Sequence, residues 1–104
     1  MRTQITARQF NASQELRDYA SQQLAKLERY YDGITDARMT LINENHGSGD
    51  KTAEVTLNVF RQQLAAHETG TTHEEAIDRC VKNLQRQIKK YKAKLRSVDK
   101  DFIR

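Results

Sequence analysis

The residues with the clearest potential for chemistry are positively charged and lie near the C-terminal end of the sequence. The segment from Arg79 to Arg96 contains eight Lys or Arg residues and no Asp or Glu. Guanidinium and ammonium groups bind phosphates and carboxylates through charge-assisted hydrogen bonds. Two interpretations are therefore open: an ordinary solvated helix face, or a surface that binds a polyanion such as a nucleic acid backbone.

At about 100° per residue, a helix through this segment separates two sets of side chains. The apolar set, which predicts a core-facing stripe, is Ile77, Cys80, Val81, Leu84, Ile88, Tyr91 and Leu95. The opposite arc carries Arg79, Lys82, Arg86, Lys89, Lys90 and Arg96, with Lys92 and Lys94 at its flanks. Solvated helices usually mix signs, because opposite charges three or four residues apart contribute about 0.2–0.5 kcal/mol per pair. The single sign of this arc favours binding of an external polyanion.

The other reactive residue types do not form a catalytic or metal-binding pattern. The histidines lie in different predicted elements, at His46, His67 and His73. With a single cysteine they give no metal-ligand spacing. Cys80 falls on the apolar stripe, which predicts a buried, inert thiol, and Glu74 and Glu75 are interpreted as capping residues. We expect a protein that is not an enzyme and uses no cofactor, metal or small-molecule substrate.

The length and charge distribution predict one dipolar domain. The chain has 104 residues and a net charge of +4. Residues 1–78 carry 8 basic and 12 acidic groups, whereas residues 79–104 carry 10 basic and 2 acidic groups. A neutral-to-acidic body with a basic end is oriented as it approaches an anionic surface. No apolar run is long enough for a membrane span or a signal peptide, so a cytoplasmic location is expected.

Hydrophobic periodicity predicts the element order β-α-β-β-β-α. Strands are expected over 2–8, 34–44, 53–60 and 63–70, and helices over about 13–31 and 73–95. Ser13 and Thr72 are predicted to cap the two helices. The expected fold class is α+β: a four-stranded sheet, with the last strand at an edge, and two helices packed on one face. A single domain is expected over 1–96, and a short flexible tail over 97–104.

The aromatic residues limit the kind of nucleic acid that fits. Tyr91 points to the core by helical phase, and Phe60 and Phe102 are isolated in the sequence. This distribution argues against a base-stacking platform for single strands. It favours recognition of the backbone and shape of folded RNA. No predicted element is suited to reading DNA bases.

Two segments resemble the bacterial ribosome hibernation factor family. This family includes the hibernation-promoting factor and the ribosome-associated inhibitor, also described as ribosomal subunit interface or sigma-54 modulation proteins. The segment "LAKLERYYDGI" from Leu24 to Ile34 is similar to the end of the family's first helix. The segment "EEAIDRCVKNLQRQIKKYKAKL" from Glu74 to Leu95 is similar to its second helix. Its matching positions are Ala76, Ile77, Asp78, Lys82, Arg86, Gln87, Lys89, Lys90, Lys92 and Lys94.

The resemblance implies both a fold and a function. The fold would be similar to double-stranded-RNA-binding domains. The partner would be the small subunit of the 70S ribosome, through its 16S-type rRNA in the decoding channel. Binding there would block mRNA and tRNA and inhibit translation under stress or in stationary phase. DNA and membranes are not expected partners.

The family pattern also indicates site residues. Those that match it best as rRNA phosphate contacts are Lys82, Arg86, Lys89 and Lys90. The further candidates are Arg79, Lys94 and Arg96 on the second helix and Lys26 and Arg29 on the first. One departure is that Glu74 and Glu75 stand where the family often has an aromatic residue. The chain also ends without the dimerisation domain of long-form members or an extended acidic tail, so short-form behaviour is expected.

One alternative function remains open from the sequence. The basic helix could dock on an acidic protein partner, as a non-enzymatic interaction module. Basic amphipathic helices also lie on membrane surfaces. That use is less favoured, because Leu84, Ile88 and Leu95 are needed to cover the sheet.

Overall fold

The fold has the predicted element order. A computed structural model describes residues 1–43 and 50–102, with side chains to residue 96. The elements are β1 (Arg2–Arg8), α1 (Gln14–Tyr30), β2 (Asp36–Asn43), β3 (Lys51–Val59), β4 (Gln62–Gly70) and α2 (His73–Phe102). The predicted α+β class and β-α-β-β-β-α order are therefore confirmed. Most of the predicted "NHGSGD" turn, including His46, lies outside the described residues.

The four strands form one mixed sheet in the order β1-β2-β3-β4. β1 pairs with β2 in parallel, whereas β2, β3 and β4 form an antiparallel meander. A parallel pair needs a crossover connection, and α1 supplies it. β4 lies at an edge, as its weakly apolar sequence predicted.

The sheet register brings apolar residues from neighbouring strands onto the face covered by the helices. One such row runs from Ile5 to Met39, Val55 and Ala66. Met39 and Val55 are almost completely buried. Both helices contribute to the same core, for example through Leu24 and Leu84. The two-layer arrangement with both helices on one face is therefore confirmed.

The opposite face of the sheet is polar and largely accessible. Its central row runs from Gln4 to Arg38, Thr56 and Ala65 in register. These residues are exposed or half-buried. Within the described part of this face, the paired residues Ile42 and Thr52 are buried exceptions. No layer of secondary structure covers this face in the part of the chain that the structure describes.

The β3–β4 turn differs from its prediction by one residue. The sequence suggested Arg61 and Gln62 as the connection, but Val59 pairs with Gln62 and leaves Phe60 and Arg61 as the two turn residues. Arg61 has a φ of 63°, in the left-handed region that residues other than glycine seldom adopt. The turn therefore exposes an aromatic ring and a cation together.

Helix α1 begins and ends through local contacts. The Ser13 hydroxyl accepts a hydrogen bond of 3.1 Å from the Leu16 amide, which confirms the predicted N-cap. The chain leaves the helix at Tyr31, which is extended, although its amide still donates to the Leu27 carbonyl. Gly33 makes room for the Tyr31 ring, because a Cβ there would overlap the ring.

Helix α2 begins with a cap at Thr72, whose hydroxyl accepts from the Glu75 amide at 3.1 Å. The Glu75 carboxylate does not complete the predicted reciprocal bond but accepts from the Thr71 hydroxyl and pairs with Arg79. The helix continues past the predicted end at Leu95 to Phe102. Its 30 residues span about 45 Å. The tail predicted over 97–104 overlaps the end of this helix, and its predicted flexibility stays a prediction.

Candidate nucleic-acid interface

The basic helix is fixed to the sheet by the predicted apolar stripe. Ile77, Cys80, Leu84 and Ile88 are completely buried, and Tyr91 is 4% exposed. Val81 is also buried, and Leu95 packs partly buried against the same core. Because this stripe holds one side of α2, the opposite side is fixed facing outward.

Cys80 belongs to this buried stripe. Its Sγ donates to the Ala53 carbonyl of β3 at 3.2 Å. Burial raises the pKa of the thiol from 9.0 to about 12. The predicted burial of this cysteine is therefore confirmed, and its inertness stays a prediction, because a protonated, buried thiol is a poor nucleophile.

One flank of α2 is held to the edge strand β4 by a row of polar contacts at four-residue intervals. Arg79 Nη1 donates to the Thr69 carbonyl at 2.6 Å, and Gln87 Nε2 donates to the Ala65 carbonyl at 2.7 Å. Between them, Asn83 donates to the Glu68 carboxylate at 2.9 Å. The row continues to Tyr91, whose hydroxyl donates to the Phe60 carbonyl at 2.6 Å. The helix therefore runs along β4 to the β3–β4 turn.

Arg79 differs from the other predicted site residues because it has partners within the fold. Its Nη2 atom lies 2.8 Å from the Glu75 carboxylate, one turn earlier. Its other terminal nitrogen donates to the Thr69 carbonyl of β4. Helical phase had grouped Arg79 with the outward-facing cations. The structure turns its side chain towards β4, where its charge is opposed by Glu75.

The other flank of α2 contacts α1. The Tyr19 hydroxyl donates to the Asp78 carboxylate at 2.5 Å. This hydrogen bond, with a smaller contribution from burial, raises the pKa of Tyr19 to about 12. Farther along, Lys92 Nζ lies 5.3 Å from the Tyr30 ring centroid and 5.8 Å from that of Tyr31. These two contacts show that the helices run side by side in the same direction.

Six cations of α2 are exposed and lie outside the buried stripe: Lys82, Arg86, Lys89, Lys90, Lys94 and Arg96. We call this set the basic face. Within residues 1–43 and 50–96, no carboxylate forms an ion pair with any of the six. Arg86, Lys89 and Lys90, together with Ala93, line a shallow depression in it. The basic face therefore presents only positive charges over several helical turns.

The two candidates on α1 are also exposed. Lys26 follows Tyr19 by seven residues and therefore lies on the edge of α1 that faces α2. Because the helices are parallel, it lies beside the middle of α2. Arg29 points away from the sheet by the same phase argument. Lys26 can thus extend the basic face sideways, whereas Arg29 lies farther from it.

The described histidines have separate structural roles. His73 is buried at the start of α2, where it stacks on the Phe10 ring at 4.5 Å and lies 3.1 Å from the Ile42 carbonyl. His67 lies on the open face of the sheet, 3.5 Å from Glu54. In the part of the chain that the structure describes, no three His, Cys, Asp or Glu residues are grouped to hold a metal ion.

Sequence reasoning missed an exposed aromatic residue beside α2. Phe60 is 61% exposed at the β3–β4 turn, and the Tyr91 hydroxyl holds its carbonyl beside α2. In the sequence Phe60 is isolated, since it lies 31 positions before Tyr91. The available signal was its position at the end of a predicted strand, next to a turn, where side chains are often exposed.

Comparison with known proteins agrees with the fold and the resemblance. The family model described as Sigma 54 modulation protein / S30EA ribosomal protein matches residues 3–96. A ribosome hibernation promoting factor of Escherichia coli K12 is 31% identical over 96 residues, which cover 92% of this chain and 98% of the relative. A ribosome hibernation promotion factor of Deinococcus radiodurans is 33% identical over 93 residues, 88% of this chain. The chain spans about half of that longer relative, 49%.

Solved structures share the same fold. The Protein Y N-terminal domain of Thermus thermophilus matches with a TM-score of 0.77 and 27% identity, over 88% of this chain and 99% of that one. A ribosomal subunit interface protein of Coxiella burnetii matches with a TM-score of 0.81 over 89% and 99% of the two chains. At 19% identity, the second likeness supports the fold alone.

The structure and the comparisons together assign the chain to a family. Neither helix contains a stretch, within the described residues, that is apolar and long enough to cross a bilayer. The expectation of a non-enzymatic, translation-related protein agrees with the family that matches. The chain is a homologue of ribosome hibernation promoting factors at about 30% identity. It therefore belongs to the Sigma 54 modulation protein / S30EA ribosomal protein family.

Proposed function

We propose that this protein is a ribosome hibernation factor that binds small-subunit rRNA through the basic face of α2. The observation that carries the proposal is the basic face itself. Its six exposed cations have no ion-pair partner within residues 1–43 and 50–96, although the same helix pairs Arg79 with Glu75. The fold therefore uses the charge of Arg79 but leaves the charges of these six cations unpaired among the described residues.

The arrangement on the basic face is unfavourable without a partner. Arg86 lies three and four residues before Lys89 and Lys90, and Lys90 lies four residues before Lys94. Like charges at these spacings destabilise a helix by about 0.2–0.5 kcal/mol per pair. RNA phosphates would relieve this repulsion, and release of their condensed counterions would favour binding. A basic helix face without interleaved aromatic rings suits contact with the backbone of folded RNA.

The proposed location is the decoding channel of the small subunit, which the family resemblance implies. Binding there would exclude mRNA and tRNA by occupying their sites, so translation would be inhibited without a chemical step. The proposed rRNA contacts are Lys82, Arg86, Lys89, Lys90, Lys94 and Arg96, with Lys26 beside them on α1. Arg79 and Arg29 are weaker candidates, because Arg79 is paired within the fold and Arg29 lies farther from the basic face.

Sedimentation with purified small subunits tests the proposal. We expect the protein to pellet with subunits at low salt, and to pellet less when mRNA and P-site tRNA are bound beforehand. Failure to pellet at low salt would overturn rRNA binding. Equal pelleting with and without bound mRNA and tRNA would overturn the decoding-channel location. A pull-down with ribonuclease treatment distinguishes rRNA binding from the alternative function, docking on an acidic protein. An acidic protein partner would remain bound after the RNA is digested.

A further inference from the structure

The β3–β4 turn combines an exposed aromatic ring with a cation that lies against it. Phe60 is 61% exposed, more than Tyr30 at 40%, and these two are the exposed large hydrophobic residues of the described chain. The guanidinium carbon of Arg61 lies 5.1 Å from the centroid of the Phe60 ring. This distance is within the range of a cation–π contact. The turn therefore presents a planar apolar surface with positive charge beside it.

The backbone of the turn indicates that the Arg61 side chain has a use there. Arg61 adopts a φ of 63°. Glycine or asparagine occupies such turn positions at lower conformational cost. Arginine at this position has a higher conformational cost, and its guanidinium lies beside the Phe60 ring. Residues in sparsely populated backbone regions are concentrated at functional sites.

The turn also lies next to the basic face. The hydrogen bond of 2.6 Å from the Tyr91 hydroxyl to the Phe60 carbonyl fixes the turn against α2. An open depression between the hairpin and α2 is lined by Gln62, Leu64, Gln87, Lys90, Tyr91 and Lys94. Lys90 and Lys94 belong to the basic face as well. A polyanion that follows the basic face along α2 therefore reaches the hairpin that carries Phe60.

We propose that Phe60 and Arg61 form a stacking site for one unpaired base of the RNA that occupies the basic face. This inference rests on the proposed RNA-binding function and adds a specific contact to it. Stacking of bases on aromatic rings tolerates any base, because every base has a π-face. The site therefore selects an unpaired nucleotide rather than a particular sequence. It departs from the expectation that no exposed aromatic accompanies the basic helix.

The charges around the ring favour a nucleotide over an apolar pocket of a protein. Arg61 lies against the Phe60 ring, and Lys90 and Lys94 line the depression between the same hairpin and α2. A nucleotide supplies a flat π-surface for the ring and a phosphate for these cations within one unit. An apolar protein pocket would cover the ring and leave three charges to be matched separately.

Substitutions at Phe60 test the stacking site by their effect on binding to purified small subunits. Phe60→Ala should weaken binding by about 5- to 150-fold, the range measured for loss of one base–aromatic stack. The dependence of affinity on salt should keep its slope, because no phosphate contact is removed. Phe60→Tyr, which keeps a six-membered ring, should bind as tightly as the original protein. Phe60→Leu, which keeps only apolar volume, should bind nearly as weakly as Phe60→Ala.

Arg61→Gly provides a second test that separates binding from folding. Glycine suits the left-handed backbone at this position, so the thermal midpoint should not fall. Loss of the guanidinium should nevertheless weaken subunit binding several-fold. Since both residues are exposed, circular dichroism should show the same fold for all four variants.

The possible outcomes distinguish this inference from the proposed function. If Phe60→Ala binds as tightly as the original protein while substitution of the basic face abolishes binding, the stacking site is wrong and the proposed function stands. If Phe60→Leu binds normally, an apolar side chain without an aromatic ring is sufficient for binding, and the inference is wrong. If the original protein fails to bind subunits at low salt, the proposed function itself is overturned.

Discussion

The Tyr19 hydroxyl donates a hydrogen bond of 2.5 Å to the Asp78 carboxylate, across the contact between α1 and α2. The two residues are 59 positions apart in the sequence. The bond fixes the start of α2 against the first half of α1. It therefore helps to set the direction in which the basic face points.

Replacing Tyr19 by Phe should destabilise the fold while leaving the packing of the ring in place. The partly buried Asp78 carboxylate would lose its donor, which costs about 1–2 kcal/mol. Urea unfolding followed by circular dichroism measures the loss. Tyr30→Phe is the matched control, because Tyr30 is 40% exposed and lies on the same helix. Equal unfolding midpoints for the two variants would contradict a stabilising role of the bond.

The same bond predicts how stability depends on pH in the alkaline range. The pKa of Tyr19 is raised from 10.0 to about 12, chiefly by the hydrogen bond to Asp78. The folded state therefore holds the phenol proton more tightly than the unfolded state does. This contribution is fully present below about pH 10 and is lost as the pH rises towards 12.

The urea midpoint of the original protein should therefore fall from about pH 10 upward. Tyr19→Phe should show a smaller fall, because it lacks this titrating group. The fall should not vanish, since burial also raises the pKa values of Cys80 and Tyr91. Identical pH profiles for the original protein and the variant would show that the Tyr19 proton contributes nothing.

Neutralising the basic face should weaken ribosome binding without unfolding the protein. The test variant replaces Lys82, Arg86 and Lys89 by Ala, since all three are exposed. Loss of three phosphate contacts should reduce the slope of log affinity against log salt by roughly 2–3. Filter binding to small subunits at several salt concentrations gives the slope.

The open face of the sheet offers a control with the same loss of charge. Arg2, Arg8 and Arg38 are exposed there, on the face opposite the helices. Replacing these three by Ala removes an equal charge but should leave most of the affinity and the slope. If both triple variants lose the same affinity, binding depends on net charge rather than on the basic face.

Arg79 and Lys82 should respond differently to alanine, although they are one helical turn apart. Arg79→Ala removes the contacts to Glu75 and to the Thr69 carbonyl, so it should cost about 0.5–1 kcal/mol of stability. Lys82→Ala should change stability by less than about 0.5 kcal/mol but weaken subunit binding. Thermal unfolding and filter binding on the two proteins separate the effects. The reverse pattern would show that Arg79, rather than Lys82, faces the RNA.

Cys80 should resist thiol reagents as long as the protein is folded. Its side chain is fully buried, and burial raises its pKa to about 12, so the reactive thiolate is scarce near neutral pH. Labelling at about pH 8 should proceed only in denaturant. Ala93→Cys, at an exposed position of α2, should label once without denaturant. Rapid labelling of the original folded protein would contradict a buried thiol.

The sequence predicted the elements whose periodicity is strong. The alternation in "AEVTLNVF" placed β3, and the spacing of Ile77, Leu84 and Ile88 placed the buried side of α2. Both patterns arise because one face of each element must be removed from water. Boundaries were less well predicted: α2 continues past Leu95, since "SVDKDF" contains no proline or glycine to end it.

The candidate site was predictable as a set of charges but not as a set of contacts. Helical phase found the basic face, yet it could not show that Arg79 turns towards Glu75 and β4. The position of Phe60 beside α2 depends on the register of β3 and β4, which moves the turn by one residue from its predicted place. Contacts between distant elements are set by tertiary packing, which local patterns do not report.

The polar flanks of the two helices have a consequence for association between molecules. A sheet edge with bare backbone groups can recruit a strand from another chain, which leads to aggregation. Here Arg17 of α1 donates to the Ile5 carbonyl of edge strand β1 at 3.2 Å. On the other edge, Arg79 and Gln87 donate to two carbonyls of β4. Side chains from the helices thus occupy backbone acceptors at both edges, which disfavours growth of the sheet by strand addition.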